Sequence, residues 1–325
     1  MSSNADASVA DDDAGTPPPG RLRWLRAAFI VMALAFAALA LASQWEDVQD
    51  RIGRLSIRHV SLAAAFAVGS LVASFLAWRE TLAGLGDRLP VRVAARIFYV
   101  GQLAKYVPGS IWSIVGQVEL ARIHGVRRER TATAGIVVLI ISLSMALILG
   151  LLAVPSLLAS EDPLYAGVAL LLVPLAVVLH PKVLAWLVST GLRLLRRPPP
   201  STSLSGATIR RVALLSLVNN GLLGLQLWQL TVDLGEDPWT LLPRAVGAYG
   251  IATALGLVAV PIPAGAGVRE AALVLVLSPE LGVAGATLVA VLARLILTVS
   301  DLAIAGVATV ATRSERSGEP PRPSV

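Results

Sequence analysis

Stretches almost free of charge alternate with short polar ones along the whole chain. Apolar runs fall at residues 27–43, 60–78, 97–117, 131–158, 164–180, 212–232, 239–260, 264–278 and 283–312. A helix needs about 20 apolar residues to cross a bilayer, so the pattern predicts an all-α polytopic membrane protein. Two runs are interrupted where a helix cannot continue. Lys105-Tyr106-Val107-Pro108-Gly109 breaks the third, and Pro261-Ile262-Pro263-Ala264-Gly265-Ala266-Gly267 parts the seventh from an eighth piece too short to span. Backbone groups freed at such a break find no partner in lipid, so breaks at membrane depth are tolerated only against protein or along a cavity. Breaks in corresponding places of two halves point to a binding site.

Arginine and lysine stay on the cytoplasmic side and so orient the runs. Arg79, Arg88, Arg92 and Arg96 follow the second run, and Arg122, Arg127, Arg128 and Arg130 precede the fourth. Lys182, Arg193, Arg196, Arg197, Arg210 and Arg211 follow the fifth, and Arg313, Arg316 and Arg322 close the chain. The loops at Glu161-Asp162 and from Asp233 to Asp237 are acidic. Run 97–117 is therefore flanked by basic residues on both sides and predicts a hairpin that enters and leaves from the cytoplasm. Runs 239–260 and 264–278 predict a second hairpin, entering from outside. The sum is about six full spans plus two oppositely oriented re-entrant hairpins, an inverted-topology arrangement with halves at about 21–158 and 164–313. The alternative makes 239–260 a full span and sends the basic C-terminus outside.

Residues 1–20 hold Asp11-Asp12-Asp13 and Pro17-Pro18-Pro19 and little to bury, which predicts a disordered tail, as does 314–325. The basic residues Arg21, Arg23 and Arg26 before an apolar run, with Ala38-Leu39-Ala40 near its end, resemble a signal peptide but fit an uncleaved first helix better, since an acidic tail precedes them. Residues 44–59 predict a short amphipathic helix on the outer surface. The basic, leucine-rich loop from Lys182 fits either an amphipathic surface helix or an extension of the preceding span.

Composition narrows the function classes. The 325 residues are 55% hydrophobic and 15% charged, leaving no polar stretch the size of a soluble domain between 21 and 313. With no cysteine and three scattered histidines, the chain offers neither thiolate chemistry nor a metal-ligand spacing. Its pI of about 10.4 reflects basic loops suited to anionic lipid rather than nucleic acid. No nucleophile elbow, metalloprotease motif or phosphate-binding loop is present, so no catalytic residue, metal or cofactor is expected.

Ionisable residues at membrane depth are functional candidates by default. Lys105 and Tyr106 stand before the first break, Gly265 and Gly267 at the second, and Arg269 and Glu270 just after it. Arg294 and Asp301 share the last run, one face and about 10 Å apart. A half-helix starting near Gly265 would offer free N–H groups to a phosphate, with Arg269 adding a bidentate contact. Glu270, Glu119 and Asp301 would hold a headgroup amine. The competing reading makes Arg269–Glu270 and Arg294–Asp301 structural pairs. Trp112 and Trp239 fit interface anchors or packing better than ligand contacts.

The run from Gly101 to Trp112 (GQLAKYVPGSIW), then Gly116-Gln117-Val118-Glu119, resembles the membrane domain of lysylphosphatidylglycerol synthases/flippases. So does Pro263-Ala264-Gly265-Ala266-Gly267-Val268-Arg269-Glu270-Ala271-Ala272, and the similarity covers about 21–313. The resemblance implies a multi-pass protein of the bacterial inner membrane, both termini cytoplasmic, that binds and flips a phospholipid or lipid-linked headgroup. Two-domain members add a soluble domain that transfers lysine from aminoacyl-tRNA, and no such stretch lies here. Gln117 departs from the basic residue often found at that place in the family. The other functions in play are an accessory subunit presenting a lipid to an envelope glycosyltransferase, a homo-oligomer or partner-enzyme assembly included, and a proton-coupled small-molecule transporter using Glu270 or Asp301.

Overall fold

The computed structural model describes residues 53–106, 112–158, 170, 190, 204–235, 237–258 and 267–316, and among them it is helical without strands. The helices are α1 (Ile57–Gly84), α2 (Val91–Gln102), α3 (Trp112–Arg122), α4 (Arg128–Gly150), α5 (Val154–Leu158), α6 (Gly206–Thr231), α7 (Pro238–Val258) and α8 (Val268–Arg316). Short 3-10 segments, Leu103–Tyr106 and Leu151–Ala153, end α2 and α4. The tail 1–20, the runs 27–43 and 164–180, most of the loops 44–59 and 182–205, and the two breaks at 107–111 and 259–266 lie outside the described residues, as does the chain from 317.

Sequence explains the boundaries. Ser56 and Ser205 cap α1 and α6 by accepting hydrogen bonds from the backbone N–H of Arg58 and Thr208. Gly86, at φ 98°, ends α1 in a conformation that favours glycine, and the N–H groups of Gly86 and Asp87 return to the carbonyls of Ala83 and Leu82. Gly282, at φ 67° and ψ 165°, breaks α8 where the sequence separates the runs 264–278 and 283–312.

Among the described residues, three stretches, Ile57–Gly84, Arg128–Ala153 and Val268–Ala311, are long and apolar enough to cross a membrane. Their polarity is arranged for lipid. On the second part of α8, Leu295, Val299 and Leu302 are exposed while Asp301 is 3% exposed. A helix that turns its carboxylate inward and its leucines outward is suited to an apolar surround.

The core has two main parts among the described residues. One gathers α6, α7 and α8 around Leu227, Leu230, Leu241, Ile251 and Leu277. The other joins α1 to α2 through Phe75, Trp78, Phe98 and Tyr99, whose ring centroids lie 5.3–5.8 Å apart in tilted and edge-on pairs. Polar ties cross between helices: the Asn220 side-chain amide donates to Ser142 Oγ at 3.0 Å, and the Gln226 amide to the Ala293 carbonyl at 2.8 Å.

Helices within lipid associate by close packing of small residues rather than by expelling water. Here α7 lies backbone to backbone on the end of α4. A Cβ on Gly250 would collide with the Ala146 carbonyl oxygen and with Gly150, and one on Gly247 with the Ala153 backbone. The two limbs α2 and α3 meet as closely, with a Cβ on Gly101 falling 2.8 Å from the Gln117 nitrogen. At 1.5 Å per residue these limbs reach about 18 and 16 Å, short of the ~30 Å hydrocarbon core. Packed side by side, they make a helical hairpin.

We expect Gly250→Leu to cost at least ~1–3 kcal/mol through overpacking and to lower the thermal midpoint of the purified protein. Gly221→Ala, in open space on α6, should leave that midpoint unchanged or raise it.

Candidate functional site

Four elements converge on one cavity of about 270 Å³. The end of the α2 hairpin limb contributes Gln102, Lys105 and Tyr106; α7 contributes Tyr249, Thr253 and Gly256; the first part of α8 contributes Arg269 and Glu270; and its second part contributes Arg294 and Thr298. Leu139, Ser142 and Leu143 of α4 and Gln226 of α6 close the wall. Pockets for drug-sized ligands run to ~300–1,000 Å³, so this one has room for a small group only.

Helical periodicity explains how α7 faces it. Tyr249, Thr253 and Gly256 are spaced i, i+4 and i+7, one stripe of a helix. Gly256 leaves the space that the stem of Arg269 fills, since a Cβ there would meet Arg269 Cδ at 2.8 Å. The guanidinium then reaches back along the stripe. It donates to Tyr249 Oη at 2.6 Å and Thr253 Oγ1 at 3.3 Å, and lies 5.2 Å from the Tyr249 ring centroid. All of these partners are neutral.

The other two cations are paired. Lys105 Nζ meets Asp301 Oδ2 at 2.6 Å, and the Tyr106 hydroxyl donates to the same oxygen at 2.7 Å. Arg294 pairs with Glu270 through Oε1, while Glu270 Oε2 accepts the backbone N–H of Gly267 at 2.6 Å. These pairs differ from Arg269–Glu270 and Arg294–Asp301, the pairs of the competing reading. Adjacent side chains on a helix diverge by about 100°, and seven residues along a face stand about 10 Å apart. Each carboxylate instead takes a cation from another segment.

That exchange also changes the role of the second break. The N–H of Gly267, at φ 84°, is spent on the carboxylate of Glu270, so the start of α8 carries its own anion. Gly265 lies outside the described residues. Of the nine residues read as candidates, Lys105, Tyr106, Arg269, Glu270 and Arg294 line the cavity; Asp301 is held behind it, and Gly267 at its edge through Glu270. Glu119 stands apart. It faces outward near the end of α3, half exposed, in ion pairs with Arg122 at 3.2 Å and Arg128 at 3.3 Å. Trp239 is 71% exposed and packs on Trp228 with ring centroids 5.6 Å apart, at an edge of the bundle rather than in the cavity.

Gln226, Tyr249 and Thr253 are not among the residues the sequence singles out, and Gln102 enters only within the GQLAKYVPGSIW run. Their signal was present as polar side chains inside apolar runs, weaker than a charge because hydroxyls and amides also serve as ordinary ties between helices.

Among the described residues, three cations (Lys105, Arg269, Arg294) face two carboxylates (Glu270, Asp301). The surplus sits on Arg269. The cavity can therefore take one anionic group without first breaking an ion pair.

Asp301→Asn should remove ~3–5 kcal/mol of stability, because it leaves Lys105 charged and unpaired in a largely buried place. The double variant Lys105→Met/Asp301→Leu should recover most of that loss, measured by thermal unfolding in detergent. A full loss in the double variant would show that the pair does more than neutralise itself.

Among known families, the model of the lysylphosphatidylglycerol synthase TM region matches residues 23–305. No curated protein matches the chain.

Proposed function

This chain belongs to the lysylphosphatidylglycerol synthase TM-region family, and on that premise we propose that it binds the phosphoryl headgroup of a membrane lipid or lipid-linked substrate and carries it between leaflets. The observation that supports this most directly is Arg269. Its guanidinium lies in a cavity of mixed polar and apolar lining, oriented by two hydroxyls and an aromatic face, with no carboxylate bound to it among the described residues. A planar fork so held, with its charge free, is suited to the two oxygens of a phosphodiester.

In this reading α2 and α3 form a re-entrant hairpin from the cytoplasm, and α7 with the first part of α8 forms one from outside. The runs 27–43 and 164–180 join α1, α4, α6 and the second part of α8 as full spans. The distribution of basic residues supports cytoplasmic termini, and membership of the family supports the inner membrane of a bacterial cell. The hairpin ends meet at the cavity, Lys105 from one and Arg269 from the other. Loosening either the Lys105–Asp301 or the Glu270–Arg294 tie would open one side at a time.

Binding and release need no chemical step, and the protein acts as a translocator rather than an enzyme. Proton-coupled transport is the weaker reading, since both carboxylates already hold a cation.

The test is to purify the full chain in mild detergent and identify retained lipids by native mass spectrometry. Wild type should keep one anionic lipid that Arg269→Gln releases, with affinity lower by about tenfold or more for the lost charge-assisted contacts. In liposomes the same variant should abolish flipping of that lipid. Equal retention and equal flipping by both proteins would overturn the proposal.

A further inference from the structure

Around Arg269 the cavity holds hydrogen-bond donors whose hydrogens are not yet spent. Both hydrogen bonds from the guanidinium leave from one nitrogen, Nη2, and end on the hydroxyl oxygens of Tyr249 and Thr253. A hydroxyl has one hydrogen to donate and two lone pairs to accept with. Each oxygen here accepts from the guanidinium, so each hydroxyl keeps its own hydrogen, and among the described residues neither donates it elsewhere. The Nε and Nη1 hydrogens of Arg269 are likewise uncommitted among the described residues. All three side chains line the cavity. The carboxylate beside them has no oxygen to spare, since Glu270 Oε1 holds Arg294 and Oε2 the N–H of Gly267.

The charge available here is a single one. Asp301 neutralises Lys105 and Glu270 neutralises Arg294, which leaves Arg269. The two breaks at 107–111 and 259–266 do not alter that count, nor do the apolar runs 27–43 and 164–180: none of these segments contains Asp, Glu, Lys or Arg. A ligand with one negative charge leaves the cavity neutral. A ligand with two or more leaves a charge without a partner beside Leu139, Leu143, Leu273 and Leu297, where such a charge is costly.

We propose that Tyr249 and Thr253 contact the ligand and, with Arg269, select a phosphodiester over a phosphomonoester or a diphosphate, a selection that rests on headgroup binding at Arg269 as proposed above. A phosphodiester has one charge, and its non-bridging oxygens carry no hydrogen, so it accepts from the guanidinium and from both hydroxyls. A monoester near neutral pH either bears a second charge or keeps a P–OH hydrogen that no free carboxylate receives. A diphosphate bears too much charge. Two membrane sources present a phosphodiester: a diacyl phospholipid, and a sugar joined to a prenol through one phosphate. Prenyl monophosphates and diphosphates fall outside the selection.

The test places the full chain in nanodiscs of dioleoylphosphatidylcholine with a minority of either dioleoylphosphatidylglycerol, a diester, or dioleoylphosphatidic acid, a monoester. At about pH 8.5, above the second ionisation of a phosphomonoester at about 6, native mass spectrometry should show wild type retaining the diester about tenfold or more over the monoester. Tyr249→Phe/Thr253→Val keeps the ring and the branched stem but removes both hydroxyl hydrogens. It should lower diester retention about tenfold and shrink the preference, while Thr253→Ser, which keeps a hydroxyl, should behave as wild type. Should the double variant unfold, Thr253→Val alone decides, with an expected loss of about threefold. A glycosyl monophosphoprenol competed against phosphatidylglycerol distinguishes the two sources, the natural diester being the one that displaces the other. Equal retention of diester and monoester by wild type, or an unchanged ratio in the double variant, would overturn the selection. If Arg269→Gln still releases phosphatidylglycerol in that case, only the selection falls. If retention of neither lipid depends on Arg269, headgroup binding at this site falls with it.

Discussion

A charge inside an apolar bundle must meet its opposite, and most of the architecture around the central cavity follows from that demand. Lys105 ends one limb of a hairpin, and Asp301 lies deep in the longest helix, 3% exposed. Their contact at 2.6 Å fixes where the hairpin docks, because any other docking would strand both charges. Glu270 and Arg294 do the same for the two parts of α8, which the break at Gly282 allows to fold against each other. Pairs of this kind add little net stability over an apolar core, and their larger effect is on which arrangement the chain adopts.

With those pairs made, Arg269 becomes distinctive by subtraction. Its neighbours supply hydroxyls, an aromatic face and room for its stem, and none supplies a negative charge.

Small residues allow the geometry. Gly247 and Gly250 bring α7 onto α4, Gly101 closes α2 on α3, and Gly256 opens the space for Arg269. Lipid competes with apolar side chains for contact, so shape fit between helices carries what water expulsion would carry in a soluble protein. A cavity lined by charge can persist in such a bundle only where the surrounding packing is tight enough to hold the ion pairs in place.

Hydropathy and charge, being local properties, already determined that the chain is a helical membrane protein and which ionisable residues interrupt its apolar runs. Lys105, Arg269, Glu270, Arg294 and Asp301 were all readable in that way, since each interrupts an apolar run. The outward position of Glu119 was not, because it depends on how α3 is turned against its neighbours and on Arg128 across the following loop. Nor were the partners: adjacency suggested Arg269–Glu270, yet Glu270 closes on Arg294, 24 residues away. Pairing is decided by which helix faces touch, and that depends on packing among α2, α7 and the two parts of α8, which no single segment encodes. Tertiary structure alone therefore decided which arginine is left free.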